Sequence, residues 1–394
     1  DLGDIIGCSG QIFVTKSGEL SIKADNLHIL SKNIRPLPNL KEKEGTLYNA
    51  FDDKELRYRH RHLDLIANPE VKDVFIKRAQ IISSLRSYLD NNGFIEVETP
   101  VLQPVYGGAS ARPFTTYHNS LDQSLYLRIA DELYLKRLIV GGFEKVYEIA
   151  KNFRNEGMDR NHNPEFTSLE YYQAYADVYL MMDFTEKLFR HVAKTAGPLH
   201  FKYSGNDIDL SQPFRKRSMF SLLEEYTEID LSGMNASDLS EVAKSNSLDA
   251  PQGMNYGQVL DKLFGELVEP NLIVPTFVID YPKAVSPLAK ESRDGKSDIV
   301  ERFELFIAGM EFANSFSELN DPIEQRKRLE AQVKLRDEGD DEAQIIDENF
   351  LQAMEAGMPP TGGVGIGIDR LIMLLTQQRS IKDVILFPSL RQAD

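Results

Sequence analysis

The chain has 394 residues, 42% hydrophobic and 27% charged, which suits a large globular domain together with a small one. A formal charge of -16 argues against a general nucleic-acid coat, although a local basic patch can still hold RNA on an acidic protein. The single cysteine, Cys8, excludes an intrachain disulfide and a thiolate zinc cluster; this fits a reducing cytosol, so a cytoplasmic location is expected. No apolar run is long enough to span a bilayer, and no signal peptide is visible. Asp1 is not an initiator, so the true N-terminus is expected to lie upstream.

Residues 1 to 36 read as a hairpin, GDIIGCSGQIFVT and GELSIKADNLHILS, turning at Lys16-Ser17-Gly18. Two strands cannot close a barrel. Residues 37 to 51, rich in Pro, Lys and Glu, read as a linker, and residues 52 to 394 as one large unit. Lys54, Arg57, Arg59 and Arg61 form either a basic patch for RNA or a solvated charged segment. Between 71 and 92, Val71, Val74, Phe75, Ile81, Ile82, Leu85 and Leu89 recur at helical spacing, and Gly93 stops the helix. FIEVETPVL then reads as a strand broken by Pro100, and GGASARPF (107 to 114) as a glycine-rich loop. LYLRIADELYLKRLIVGGFEKVYEI gives a strand, a helix with Asp131 as N-cap, and another strand. Within that helix Glu132 reads as a first-turn glutamate favoured by the dipole.

The centre of the chain is NFRNEGMDRNHNPEFTSLEYYQAYAD, residues 152 to 177. It reads as two strands joined by a polar Gly/Asn/Pro loop. Alternation puts Arg154 and Glu156 on one face of the first strand. It puts Phe166, Ser168, Glu170, Tyr172 and Ala174 on one face of the second. With His162 in the loop, the hairpin offers a cradle for a phosphorylated purine beside a cationic group.

Residues 177 to 196 read as a surface helix, and 213 to 266 as a helical insertion packed beside the main sheet. LIVPTFVIDYP is a buried strand, and ERFELFIAGMEFANSFSELND supplies two more, carrying Glu304, Glu311, Asn314 and Glu318. Glu311 is out of phase with Asn314 and Glu318. If all three meet one ligand, a bulge must lie between 311 and 314. PPTGGVGIGIDRLIMLL is glycine-rich but has neither a dinucleotide fingerprint nor a P-loop.

Taken together, FRNEG, HNPEF and LEYYQAYAD resemble motif 2 of the class II aminoacyl-tRNA synthetases, in the form found in lysyl-tRNA synthetases of subclass IIb. The helix, strand and proline of 71 to 100 resemble motif 1, which forms a dimer interface in the family. GIGIDR entering a helix resembles motif 3, and the N-terminal strands resemble part of the OB-fold anticodon-binding domain. The resemblance spans nearly the whole chain and implies an α+β fold: an antiparallel sheet flanked by helices, preceded by a partial OB-fold hairpin.

The resemblance also implies roles. Arg154 would bridge the amino-acid carboxylate and the α-phosphate, and Arg370 would hold the γ-phosphate. Phe166 would stack under adenine, with Glu156 and His162 completing the ATP site. Glu304 and Glu311 would hold Mg²⁺. Gly108 and Glu132 would meet the substrate α-ammonium, with Asn314 nearby. Glu170, Tyr172 and Glu318 would receive the substrate side chain. Activation joins two anionic reactants, so fixed guanidinium groups and alignment matter more than a general base.

Residue chemistry selects among amino acids. Two inward carboxylates, Glu170 and Glu318, need a cation to be buried together, and a lysine ε-ammonium supplies it. An aspartate or asparagine pocket would need an inward Arg or Lys beside Glu170, and the sequence offers no obvious one. The implied function is lysine–tRNA ligation with ATP, Mg²⁺ and tRNA(Lys) as partners, by a homodimer. The alternatives are a paralogue that lysylates a protein acceptor, or a non-catalytic RNA-binding homologue. Retention of Arg154, Arg370, Glu304 and Glu311 argues against the latter.

Overall fold

The computed structural model describes residues 3–391 except 36, 39, 44, 45, 50, 250–252, 296, 297 and 341, with the backbone alone for 40–43 and 46–49. The chain divides into two compact units: Asp1–Phe75 with Leu386–Asp394, and Ile76–Ile385.

In the smaller unit, strands Ile5–Val14 and Leu20–Ser31 pair antiparallel, with Val14 opposite Leu20. The turn is closed by the Gly18 N–H donating to Thr15 O at 2.9 Å, with Gly18 at φ +87°. The stretch expected to be a plain linker instead carries a short antiparallel ladder, Leu40–Lys43 with Thr46–Asn49. Helices Lys54–Arg59 and Arg61–Ala67 follow. The basic cluster there is committed to ion pairs. Arg57 and Arg61 both reach Asp64 at 2.6 Å, Arg61 is 2% exposed, and Arg59 pairs with Glu55. Guanidinium groups spent on the buried Asp64 carboxylate are poor phosphate ligands, which argues against the RNA-patch reading for Arg57 and Arg61, whereas the Glu55 partner of Arg59 is exposed.

The larger unit is built on an eight-stranded sheet. Its order is Arg215–Ser218, Thr276–Pro282, Ile299–Ile307, Met310–Ser317, Thr361–Gly367, Glu165–Ala174, Lys145–Phe153, Ile95–Glu96. The two outermost pairings are parallel and the five between them antiparallel. The strand expected over FIEVETPVL shrinks to Ile95–Glu96 and a separate Leu102–Gln103 paired elsewhere. Pro100 between them has no N–H to donate.

Helix Val178–Ala196 covers one face of the sheet. It starts at Asp177, which caps the N–H groups of Tyr179 and Leu180, and it packs Phe189 against Phe312. Tyr88, late in helix Glu70–Asn91, stacks on Phe184 and His191 of that helix. The segment expected to be an insertion beside the sheet joins it, because Arg215–Ser218 is its edge strand. Helices Met219–Thr227, Ala236–Ser245 and Tyr256–Leu263 then close over a core of Leu222, Leu223, Leu239, Val259, Leu260 and Leu263. Among the described residues no helix is long and apolar enough to cross a membrane.

Candidate active site

All thirteen residues proposed as site residues from the sequence line one cavity of about 590 Å³. They are Gly108, Glu132, Arg154, Glu156, His162, Phe166, Glu170, Tyr172, Glu304, Glu311, Asn314, Glu318 and Arg370. Strand geometry explains the convergence. Glu170 and Tyr172 alternate with Phe166 and Ser168 on the cavity side of Glu165–Ala174. The neighbouring strand Thr361–Gly367 presents glycines there, with Gly363 opposite both Tyr172 and Phe316 and Gly365 opposite both Glu170 and Asn314.

The bulge that parity required is present. Leu305 pairs with Ala313 and Phe306 with Glu311, leaving Phe312 as the extra residue. Phe312 turns into the core at 1% exposure, so Glu311 falls on the same side as Asn314, Phe316 and Glu318.

One end of the cavity is cationic. Arg154 follows directly on strand Lys145–Phe153, its N–H donating to Pro164 O at 2.9 Å, and its guanidinium lies 5.1 Å from the Phe166 ring centroid. Burial lowers its pKa, opposed by Glu156 and Glu311. Arg370, in the first turn of Ile368–Leu375, donates to Glu311 O at 2.9 Å and to the Glu311 carboxylate at 3.3 Å. It also donates to His162 Nε2 at 3.0 Å, which leaves Nδ1–H to donate to Asp159 at 2.8 Å.

Between these arginines and the opposite strands lie Glu304 and Glu311. Glu304 accepts from Tyr281 at 2.8 Å and from Arg302 at 2.5 Å. Burial pushes Glu304 up to about 6, with Glu311 adding to the rise and Arg302 opposing it. Glu269, a third carboxyl on the cavity wall, is pushed up to about 7 by burial, Glu311 and Glu304. These carboxyls raise one another, although Glu304 is paired with Arg302 and Glu311 with Arg370.

The other end is acidic. Tyr172 donates to Glu170 at 2.8 Å, and both are buried. A Cβ placed on Gly363 would sit 2.2 Å from Glu318 Oε1 and 2.3 Å from Tyr172 Cε1, so these groups surround one point. Burial raises Glu170 well above the carboxylate range, and then Asp131 and Glu132 raise it further. Glu318 is pushed up to about 8 by burial, with Lys136 opposing. Gly108 has φ +84°, and a Cβ there would stand 2.9 Å from Glu132 Cβ, so backbone alone can pass this point.

Three residues escaped the sequence reading. Lys136 is fully buried. Its ammonium donates to Glu132 at 2.5 Å and contacts Glu318, with the Phe316 and Phe350 rings alongside. An inward lysine therefore exists, contrary to expectation. It looked like the ordinary surface partner of a glutamate four residues earlier. Asp131 stands at the N-cap position but makes no side-chain cap bond; its Oδ1 accepts from Asn152 at 3.2 Å instead. Glu269 is carried inward by the π-turn Phe264–Val268, which helical periodicity does not reveal.

This arrangement has known counterparts. Residues 53–391 match the family model for tRNA synthetases class II (D, K and N). The lysine–tRNA ligase of Carboxydothermus hydrogenoformans is 54% identical over 397 residues, covering all of this chain and 80% of that protein. Those of Porphyromonas gingivalis and Azobacteroides pseudotrichonymphae are each 52% identical over 392 residues; 99% of this chain is covered, against 68% and 78% of theirs. A cavity with guanidinium groups at one end and carboxylates at the other, on a largely antiparallel sheet and matched along almost its whole sequence, makes this chain a member of the class II tRNA synthetases (D, K and N).

Proposed function

We propose that the chain activates L-lysine with ATP to lysyl-adenylate and passes the lysyl group to the 3′ end of tRNA(Lys). One observation carries the choice of amino acid. Of three buried carboxylates, Glu132, Glu170 and Glu318, Lys136 pairs with Glu132 and Glu318; ionised together, three carboxylates and one ammonium leave two positive charges missing. A free lysine brings two ammonium groups and hands its own carboxylate to Arg154. Aspartate and asparagine bring one ammonium and would leave a buried carboxylate uncompensated. The inward lysine therefore does not change the choice of substrate: it cancels one carboxylate and leaves the pair that a diamino acid answers.

In this reading Glu132 and the Gly108 backbone receive the α-ammonium, and Glu170, Tyr172 and Glu318 receive the ε-ammonium. Asn314 lies between the two halves of the cavity. Arg154 aligns the carboxylate with the α-phosphorus and stabilises charge as the new bond forms. Phe166 stacks on adenine, Glu156 and His162 border the nucleotide, and Arg370 holds the γ-phosphate bidentately. Glu304 and Glu311 would hold Mg²⁺, which neutralises phosphate charge when bound. The reading includes a cytoplasmic homodimer that pairs through the region of helix Glu70–Asn91, which light scattering would detect, and an N-terminal hairpin derived from an anticodon-binding domain. ATP–pyrophosphate exchange with lysine, aspartate and asparagine is the test. Exchange driven by lysine alone is expected, followed by charging of tRNA and not of a protein acceptor; exchange driven by aspartate or asparagine would remove the reading.

A further inference from the structure

Asp131 lies behind Glu170, outside the cavity lining, and is completely buried. Its sequence position calls for a helix N-cap, yet it makes no side-chain cap bond to the helix Glu132–Val140. Its Oδ1 accepts from Asn152 Nδ2 at 3.2 Å, and Asn152 also donates to Ser168 at 2.7 Å. Its Oδ2 is buried without any donor. The Glu170 carboxyl lies within hydrogen-bonding reach of the Asp131 carboxyl and already accepts from Tyr172. Two acceptors in contact and shielded from water are untenable as a pair of anions. A single hydrogen between them satisfies both.

We propose that Asp131 is a positioning residue of the amino-acid pocket, holding one carboxylic-acid hydrogen against Glu170 and so aiming the free Glu170 oxygen at the substrate ε-ammonium. This rests on the lysine reading of the cavity. With one hydrogen in place the pair carries one negative charge, the same as Glu170 alone, so the match to two incoming ammonium groups is kept. Both carboxyls are raised. Burial pushes Asp131 up to about 6, with Glu148 adding to the rise and the bond with Glu170, then Asn152 and Arg128, opposing it. Burial, Asp131 and Glu132 raise Glu170, with Tyr172 opposing. Arg154 is the cation on the cavity side. Among the described residues no donor reaches Oδ2, so the hydrogen stays when lysine enters, resting on Asp131 as Glu170 takes up the ammonium.

The test separates an acid that donates from an anion that attracts. Asp131→Asn keeps the Oδ1 acceptor for Asn152 and offers an amide N–H to Glu170, whereas Asp131→Ala offers nothing. In lysine-dependent ATP–pyrophosphate exchange by the full chain, Asp131→Asn should keep the lysine KM within about threefold of wild type. Asp131→Ala should raise it about tenfold or more with the ATP KM unchanged, since a hydrogen bond to a charged group is lost. Equal rises in the lysine KM for both variants would overturn the proposal. Infrared spectra of the wild-type protein with lysine should carry a protonated-carboxyl band, moved by deuterium exchange; its absence overturns the proposal even if neither variant folds. Failure of lysine to support exchange in the wild type would instead sink the functional reading, and this inference with it.

Discussion

Arg78 and Asp369 meet at 2.6 Å, and the second oxygen of Asp369 accepts the Thr167 N–H at 2.6 Å. Three segments distant in sequence are thereby tied at one carboxylate: the long helix after residue 70, the strand carrying Glu170, and the helix carrying Arg370. Asp369 is adjacent to Arg370, so this pair sets the root of the arginine that faces the nucleotide.

Removing one partner strands a nearly buried charge. Arg78→Ala should therefore cost about 3–5 kcal/mol of stability, read from urea unfolding. A loss below about 1 kcal/mol would mean that the pair contributes only as a surface bridge does.

Lys136→Met should be similarly costly, because Glu132 and Glu318 would face each other with no cation between them. Adding Glu318→Gln to Lys136→Met should recover part of the lost stability while lysine binding stays weak. A double variant no more stable than the single would show that Lys136 matters for packing against Phe316 and Phe350 rather than for charge.

The two ends of the cavity should separate kinetically. Glu318→Gln should raise the lysine KM about tenfold or more with the ATP KM unchanged, since a charge-assisted contact becomes neutral. Arg154→Ala should lower pyrophosphate exchange by about a hundred- to a thousandfold, the range found when one transition-state donor is lost. An unchanged lysine KM in the first variant, or retained exchange in the second, would contradict these roles.

Glu301 supplies the pH dependence. Burial pushes its carboxyl up, but bonds from Arg293 at 2.5 Å and from Ser317 at 2.5 Å outweigh that and hold it below its ordinary value of 4.5. A carboxyl lowered in the folded state contributes stability above its unfolded pKa and loses it as the pH falls through the folded one. Melting temperature should therefore drop as pH is lowered below about 4.5, and Glu301→Gln should show a shallower drop. Parallel curves for the two proteins would remove Glu301 as a cause.

Much of the site was legible because strands encode their faces directly. Alternation placed Glu170 with Tyr172, and its failure between Glu311 and Asn314 required the bulge that Phe312 forms. Helices hid more. Glu132 and Lys136 look like a solvated pair until Glu318 and Phe350, some two hundred residues later, close over them. Asp131 looked like a cap because propensity cannot report that its carboxylate faces a second buried acid. Strand lengths were overread at 94 to 102, where Pro100 limits pairing, and the ladder at Leu40–Lys43 was missed because charged residues concealed it.

The glycines of Thr361–Gly367 make the pocket floor bare backbone. A methyl at 363 would collide with Tyr172 and Glu318, whereas one at 365 would meet only Glu170 Cγ, at 3.8 Å. At 363 and 365 the floor is already at its lowest, so no replacement of these two glycines can deepen the recess. A methyl at 365 would therefore narrow the recess without a clash, whereas widening it demands that the walls move.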